Sequence, residues 1–311
     1  MATNVHFPPL TWLRCVAARW LPPRLLGLLI APFVLARLWR EWGRDDEQSR
    51  RLRWFARAWA GRSGRLARAL QRYRLAASGF VEDWPHRLHA AHWQKRCRIV
   101  GGEILQARRA AGRPTILATL HYGSLPALYH WLRAAGVPVA ALSLHPKIAP
   151  YRAHLCDLAD RAAGLEGVPR TFGLSTGDLR AVKNHVRTPG AVLIVVIDAG
   201  TGARPLDLTL DGLTVTVRCG AFRIAAMTGA AVVPCLIRAE AGLGSTIHFG
   251  EPVPEAAVND PHDHAAAATH VLSQLLPLVR ACPEQFHLPH VPLPTPHAPP
   301  TVPPQPFRAA A

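Results

Sequence analysis

The fold turns on Thr115-Ile-Leu-Ala-Thr-Leu-His-Tyr-Gly-Ser-Leu-Pro126. Its first six residues form an apolar, β-branched run that reads as a buried strand. The run ends at His121, a tight Tyr122-Gly123 step follows, and Ser124 opens a segment with helical patterning. A histidine at the carboxyl end of a buried strand, facing a helix start, is a usual place for chemistry in an open α/β sheet. A neutral imidazole there can act as a general base. Backbone N–H groups near Gly123 and Ser124, at the helix start, can face a developing negative charge.

Outward from this stretch, strands and helices alternate from Arg96 onward. Strand-like runs fall at 97–100, 115–120, 138–143, 168–172, 191–197, 213–217, 231–237 and 245–249. Helix-like segments at 102–111, 124–135, 150–163, 176–187, 219–228 and 261–281 lie between most of them. This alternation predicts an α/β domain over 96–288, with a mostly parallel or mixed sheet flanked by helices. The last helix has a start signal in Asp260 as N-cap, Pro261 at the first position and Asp263 at the third. Beyond Leu288, residues 289–311 hold nine of the chain's 29 prolines, which predicts an extended, disordered tail.

Residues 1–95 are different in kind. The net charge of the 311-residue chain is +16, and 19 of its 36 Lys+Arg, against 6 of its 20 Asp+Glu, lie in residues 1–100. Eight of the nine tryptophans fall there too. Basic charge with tryptophan and an apolar run reads as attachment to an anionic membrane surface. The run is Leu25-Leu-Gly-Leu-Leu-Ile-Ala-Pro-Phe-Val-Leu-Ala36, between Arg24 and Arg37. It is short of the roughly 20 residues a spanning helix needs. It reads as an uncleaved anchor, lying in the interface, re-entrant or barely crossing, or as a buried core helix. Leu52, Phe55 and Trp59 repeat at helical spacing among arginines, which fits a membrane-facing helix or a packed helix with a solvated basic face. No zinc-finger spacing, RNP motif or basic-zipper heptad supports nucleic-acid binding, and none is expected.

Two further segments carry candidate chemistry. Gly190-Ala-Val-Leu-Ile-Val-Val-Ile-Asp198 is a buried strand ending in a carboxylate, followed by Ala-Gly-Thr-Gly-Ala-Arg204. Asp198 would enter the same crevice as His121 if the two strands are neighbours, and a carboxylate beside an imidazole orients it and supports its protonated form. An Asx turn or helix cap is an equal reading of Asp198. Gly200, Gly202 and Arg204 have the makings of a phosphate site. Arg218, before Gly220, stands where a helix start could present it to a phosphate or thioester-bearing group. The six cysteines form no CxxC pair, which argues for buried, inert thiols in a reducing compartment. His86, His89 and His92 lack a carboxylate or cysteine at matching spacing, so no metal site is expected.

Taken in order, these blocks resemble the late lipid A acyltransferases of bacteria, the lauroyl/myristoyl transferase family, over residues 96–290. T-L-H-Y-G (119–123) is similar to the family's T-x-H-F-G. V-I-D (196–198) follows a buried strand as in the family. T-V-R-C-G-A-F-R-I-A-A-M-T-G-A-A-V-V-P (216–234) is similar to G-x-x-x-L-A-x-x-T-G-A-x-V-V-P, and C-P-E-Q-F-H (282–287) to P-E-Q-W-x-W. The resemblance implies a glycerolipid-acyltransferase-like fold on the cytoplasmic face of a bacterial inner membrane. It implies fatty acyl transfer from acyl carrier protein or coenzyme A to a hydroxyl of a membrane lipid, without metal or other cofactor. It assigns catalysis to His121; the candidate substrate contacts, from their places at the strand ends and helix starts, are Gly123, Ser124, Arg204 and Arg218. The family places an Asp or Glu five positions after its histidine; here that position is Pro126. Asp198 is the candidate replacement acid. A non-catalytic binder of lipid or carrier protein is the alternative.

Overall fold

A computed structural model describes residues 47–59, 97–143, 157, 160, 161, 164–173, 175–199, 205–240, 244–259, 264–287 and 293–294, with residues 28, 31, 32, 36 and 39. The strands are β1 (Cys97–Val100), β2 (Thr115–Thr119), β3 (Val139–Leu142), β4 (Thr171–Phe172), β5 (Val192–Val196), β6 (Pro205–Leu210), β7 (Leu213–Arg218), β8 (Ala231–Ala239), β9 (Ser245–Phe249) and β10 (Leu293–Pro294). The described helices are α1 (Glu47–Trp54), α2 (Gly102–Ala110), α3 (Leu125–Ala134), α4 (Thr176–Arg187), α5 (Gly220–Thr228), α6 (Glu255–Val258) and α7 (Ala265–Ala281).

Seven strands form one sheet in the order β1-β9-β8-β2-β5-β3-β4. The strands β8, β2, β5, β3 and β4 run parallel to one another, β9 is antiparallel to β8, and β1 is parallel to β9. The α/β class and the mostly parallel, mixed sheet flanked by helices are therefore present as the alternation predicts. β2 is completely buried along its length, as a strand covered on both faces must be. Alternate residues serve opposite faces. Ile116, Ala118, Leu193 and Val195 pack with helices α1, α4, α5 and α7, while Leu117, Val192 and Ile194 pack with α2 and α3.

A second, smaller sheet, β10-β7-β6, lies on the α7 side and adds Leu213, Val215 and Val217 to the same core. Its hairpin turns at Asp211-Gly212 with φ of +50° and +75°, the left-handed pair that a two-residue hairpin loop requires. Pairing of Leu293–Pro294 with Leu213–Thr214 makes that part of the proline-rich tail an edge strand, not a disordered extension. The last helix differs at its start. It begins at Ala265 with His264 as N-cap, and the expected cap residues 260–263 lie outside the described residues.

In α1 and the π-helical turn Phe55–Trp59 that continues it, Leu52, Phe55 and Ala56 are fully buried, Leu52 and Phe55 in the core that also holds Leu193, and Arg50 and Arg57 stay exposed. Here the apolar stripe is used by the α/β domain itself. Of the apolar run 25–36 only residues 28, 31, 32 and 36 are described, all helical, with Leu28 exposed. Among the described residues no helix is long and apolar enough to cross a membrane. His86, His89 and His92 lie outside the described residues. Cys97, Cys219 and Cys235 are buried free thiols and Cys282 is partly buried. Burial pushes the Cys97 thiol up to about 12, so it is inert at neutral pH.

Candidate functional site

β2 and β5 are adjacent and parallel, with Thr115 opposite Val192 and Thr119 opposite Val196. That register carries on past the strand ends, and Ile197 N–H donates to Thr119 O at 2.8 Å. It therefore sets His121 opposite Asp198. The connection after β2 runs through α3 on one face of the sheet, and the connection after β5 runs through α5 on the other. The chain thus parts at the carboxyl ends of these two strands, where open α/β sheets form their binding crevice.

The two side chains meet there. His121 Nδ1 lies 2.8 Å from Asp198 Oδ1, and the His121 backbone N–H reaches both carboxylate oxygens, at 2.9 and 3.0 Å. The Asp198 side chain is 6% exposed and that of His121 25% exposed. A carboxylate is an acceptor only, so Nδ1 carries the proton and donates to Oδ1. In the neutral form of the ring, Nε2 is then the unprotonated nitrogen, with a lone pair able to take a proton. The carboxylate thus fixes both the tautomer and the orientation of the ring. Pro126, the second residue of α3, offers no acid to His121; the carboxylate beside the imidazole comes from the end of the neighbouring strand β5.

The turn after His121 is held from outside by residues 282–287. Gly123 N–H donates to Gln285 O at 2.9 Å, and His287 N–H to His121 O at 2.9 Å. The hydroxyl of Tyr122, a fully buried residue, donates to Cys282 O at 2.9 Å. The ring of Phe286 stands edge-on to both Tyr122 and Phe55, at 5.6 Å. His287 donates Nε2–H to Gly123 O at 3.2 Å, and its ring centroid is 6.0 Å from that of His121.

This arrangement corrects one expectation and refines two others. Gly123 N–H bonds to Gln285 and is not turned to substrate. Gly123 serves the site by conformation: its φ is +61°, and a Cβ there would stand 1.9 Å from Ile237 O. Ser124 is buried, and its hydroxyl caps α3 by accepting from Ala127 N at 3.4 Å. Leu125 is the first helical residue, so its N–H, like that of Ser124, has no acceptor within the helix. Arg218 brackets Asp198, its N–H donating to Ile197 O at 2.6 Å and its Nε to Ala199 O at 3.1 Å. Gly200, Gly202 and Arg204 lie outside the described residues. Gln285 and His287 are near the dyad without any signal from spacing, since only the fold brings the chain's far end to β2.

Among the described residues no cluster of three His, Cys, Asp or Glu side chains is placed to hold a metal ion. Compared with models of known protein families and with curated protein sequences, the chain matches none.

Proposed function

We propose that the protein transfers a fatty acyl group from an acyl thioester, on acyl carrier protein or coenzyme A, to a hydroxyl of a membrane lipid. The His121–Asp198 contact carries this reading. His121 Nε2 takes the proton from the acceptor hydroxyl as its oxygen attacks the thioester carbonyl. The tetrahedral intermediate carries negative charge on the former carbonyl oxygen, and N–H groups at the start of α3, from Ser124 and Leu125, are suited to stabilise it. When the C–S bond breaks, the thiolate leaves and takes the proton from Nε2. Asp198 accepts Nδ1–H throughout and stabilises the imidazolium that forms between the two transfers. The chemistry asks for no metal. Arg218 acts on Asp198 by fixing the carbonyls on either side of it.

The resemblance noted in the sequence suggests the lauroyl/myristoyl transferase class and the cytoplasmic face of a bacterial inner membrane. The basic, tryptophan-rich residues 1–95 suit an anionic lipid surface, and the net charge of +16 suits an acidic carrier protein. Pro126 speaks for a catalytically silent binder; a carboxylate already seated on His121 speaks against it.

The test is acyl transfer by wild type and His121→Ala, each with carrier-protein and coenzyme A donors. The expected result is loss of transfer in the variant; equal activity in both proteins sinks the mechanism. Extraction from membranes by salt or only by detergent separates a peripheral protein from an inserted one.

A further inference from the structure

We propose that Gln285 is a positioning residue that sets the His121 imidazole against Asp198 through a brace formed by residues 282–287. The brace has two ends. At one end the Gln285 side chain grips the end of β8: its Oε1 accepts from Ala239 N–H at 2.7 Å and its Nε2–H donates to Ala239 O at 2.9 Å. Gln285 is 4% exposed, so this paired bond is made away from water. At the other end the main chain of the same segment holds the histidine turn. Gln285 O accepts from Gly123 N–H, and His287 N–H donates to His121 O.

These contacts act on the backbone directly after the imidazole. They fix the carbonyl of His121 and the left-handed step at Gly123, whose lack of Cβ lets the turn pass under Ile237 O. The bonds from Asp198 fix the N–H on the other side of the same residue. His121 is thereby pinned at both peptide groups, leaving its side chain one way to reach Asp198. Both polar atoms of the Gln285 amide are engaged with Ala239, so it works through the turn. Such preorganisation lowers the cost of reaching the reactive geometry without adding a contact to substrate.

The experiment uses the full chain with Gln285→Leu, which fills similar space without hydrogen bonds, and Gln285→Glu. The first readout is the proton on His121 Nδ1 in 15N-labelled protein, which needs no substrate. The second is kcat against KM for acyl transfer, which rests on the proposed function. Gln285→Leu is expected to lose the sheltered Nδ1 proton signal and about tenfold or more of kcat, with KM within about twofold. At about pH 8 the Gln285→Glu carboxylate can accept from Ala239 N–H but cannot donate to Ala239 O, so this variant is expected to lose both as well. An unaltered Nδ1 proton signal in Gln285→Leu, or in Gln285→Glu at that pH, overturns the proposal. If wild type shows no acyl transfer, the function is refuted and the proton signal alone decides the brace. If Gln285→Leu does not fold, Gln285→Glu at about pH 8 decides it.

Discussion

Asp198→Asn changes one atom of the site and tests its logic. The carboxylate accepts from two groups of a single residue, the backbone N–H of His121 through both oxygens and Nδ1–H through Oδ1. An amide has one oxygen where the carboxylate has two. The His121 N–H is held at the end of β2 and cannot turn away, so the amide oxygen stays with it. The NH₂ group then faces Nδ1, which must accept instead of donate. The ring proton moves to Nε2, and an Nε2–H cannot take a proton from a hydroxyl. A charge-assisted hydrogen bond of about 1.5–3 kcal/mol gives way to a neutral one of about 0.5–1.5 kcal/mol, so stability should fall by only about 1 kcal/mol. Activity should fall far more. General-base catalysis is worth about 10²–10⁴-fold, or about 3–5 kcal/mol of barrier. The assay pairs acyl transfer, followed by release of free thiol, with urea unfolding of the same preparation. If Asp198→Asn keeps kcat within about threefold of wild type while folding normally, the assignment of Asp198 as orienting acid is refuted. Asp198→Ala should cost more stability, about 1–3 kcal/mol, because it leaves the His121 N–H without its acceptor.

Gly123→Ala should destabilise the fold by about 2–6 kcal/mol, from a left-handed φ and a Cβ forced against Ile237 O. Gly136→Ala has a φ of +68° but nothing within 4 Å, so it should cost only about 1–2 kcal/mol; equal urea midpoints for the two would contradict the close approach. Arg133→Met should cost about 3–5 kcal/mol in urea unfolding. The buried Arg133 binds Asp160 at 2.5 Å and the carbonyls of Val139, Leu165, Val168 and Pro169, tying α3 to the chain around β3. His185 is buried, which holds its imidazole below the ordinary value, and its Nε2–H donates to Val192 O at 3.1 Å. The unfolded chain therefore binds a proton that the folded chain refuses. This contribution to stability is complete above about pH 6.5 and is lost as the pH falls through the lower folded value. His185→Asn should flatten the acid limb of a urea-midpoint profile, and an unchanged slope would count against it.

The parts of the fold legible in the sequence are those encoded by local pattern. Both strands that bear the dyad stand out as β-branched runs, and helix 176–187 is bounded by a Ser175–Asp178 capping box. β6 was hidden by the glycine-rich stretch before it, although Leu206, Leu208 and Leu210 alternate into an Asp-Gly turn, a hairpin signal in its own right. His121 and Asp198 are each marked by position at a strand end, but their meeting depends on β5 being the neighbour of β2. No local pattern specifies that order. Gln285 stands in the C-P-E-Q-F-H stretch that carries part of the resemblance, but nothing in that motif tells what it touches. Its partners, Ala239 and Gly123, are 46 and 162 positions away, and a buried glutamine in a short turn is defined only by the groups packed around it. Arg133 is similar, one arginine among many until the fold surrounds it with carbonyls.

The sheet order also has a consequence for how the site comes into being. β5 lies between β2 and β3, yet it follows both along the chain. When the chain has been synthesised only as far as β3, the strand that separates β2 from β3 in the finished sheet is still missing. Pairing of β5 with β2 is the step that delivers Asp198 to His121. A shortened chain that stops before residue 192 would hold the histidine, its helix start and half of the sheet, but no dyad. The His121–Asp198 pair therefore forms with the β2–β5 pairing and not before the chain extends past residue 198, ahead of the second parallel pairing of β2, with β8.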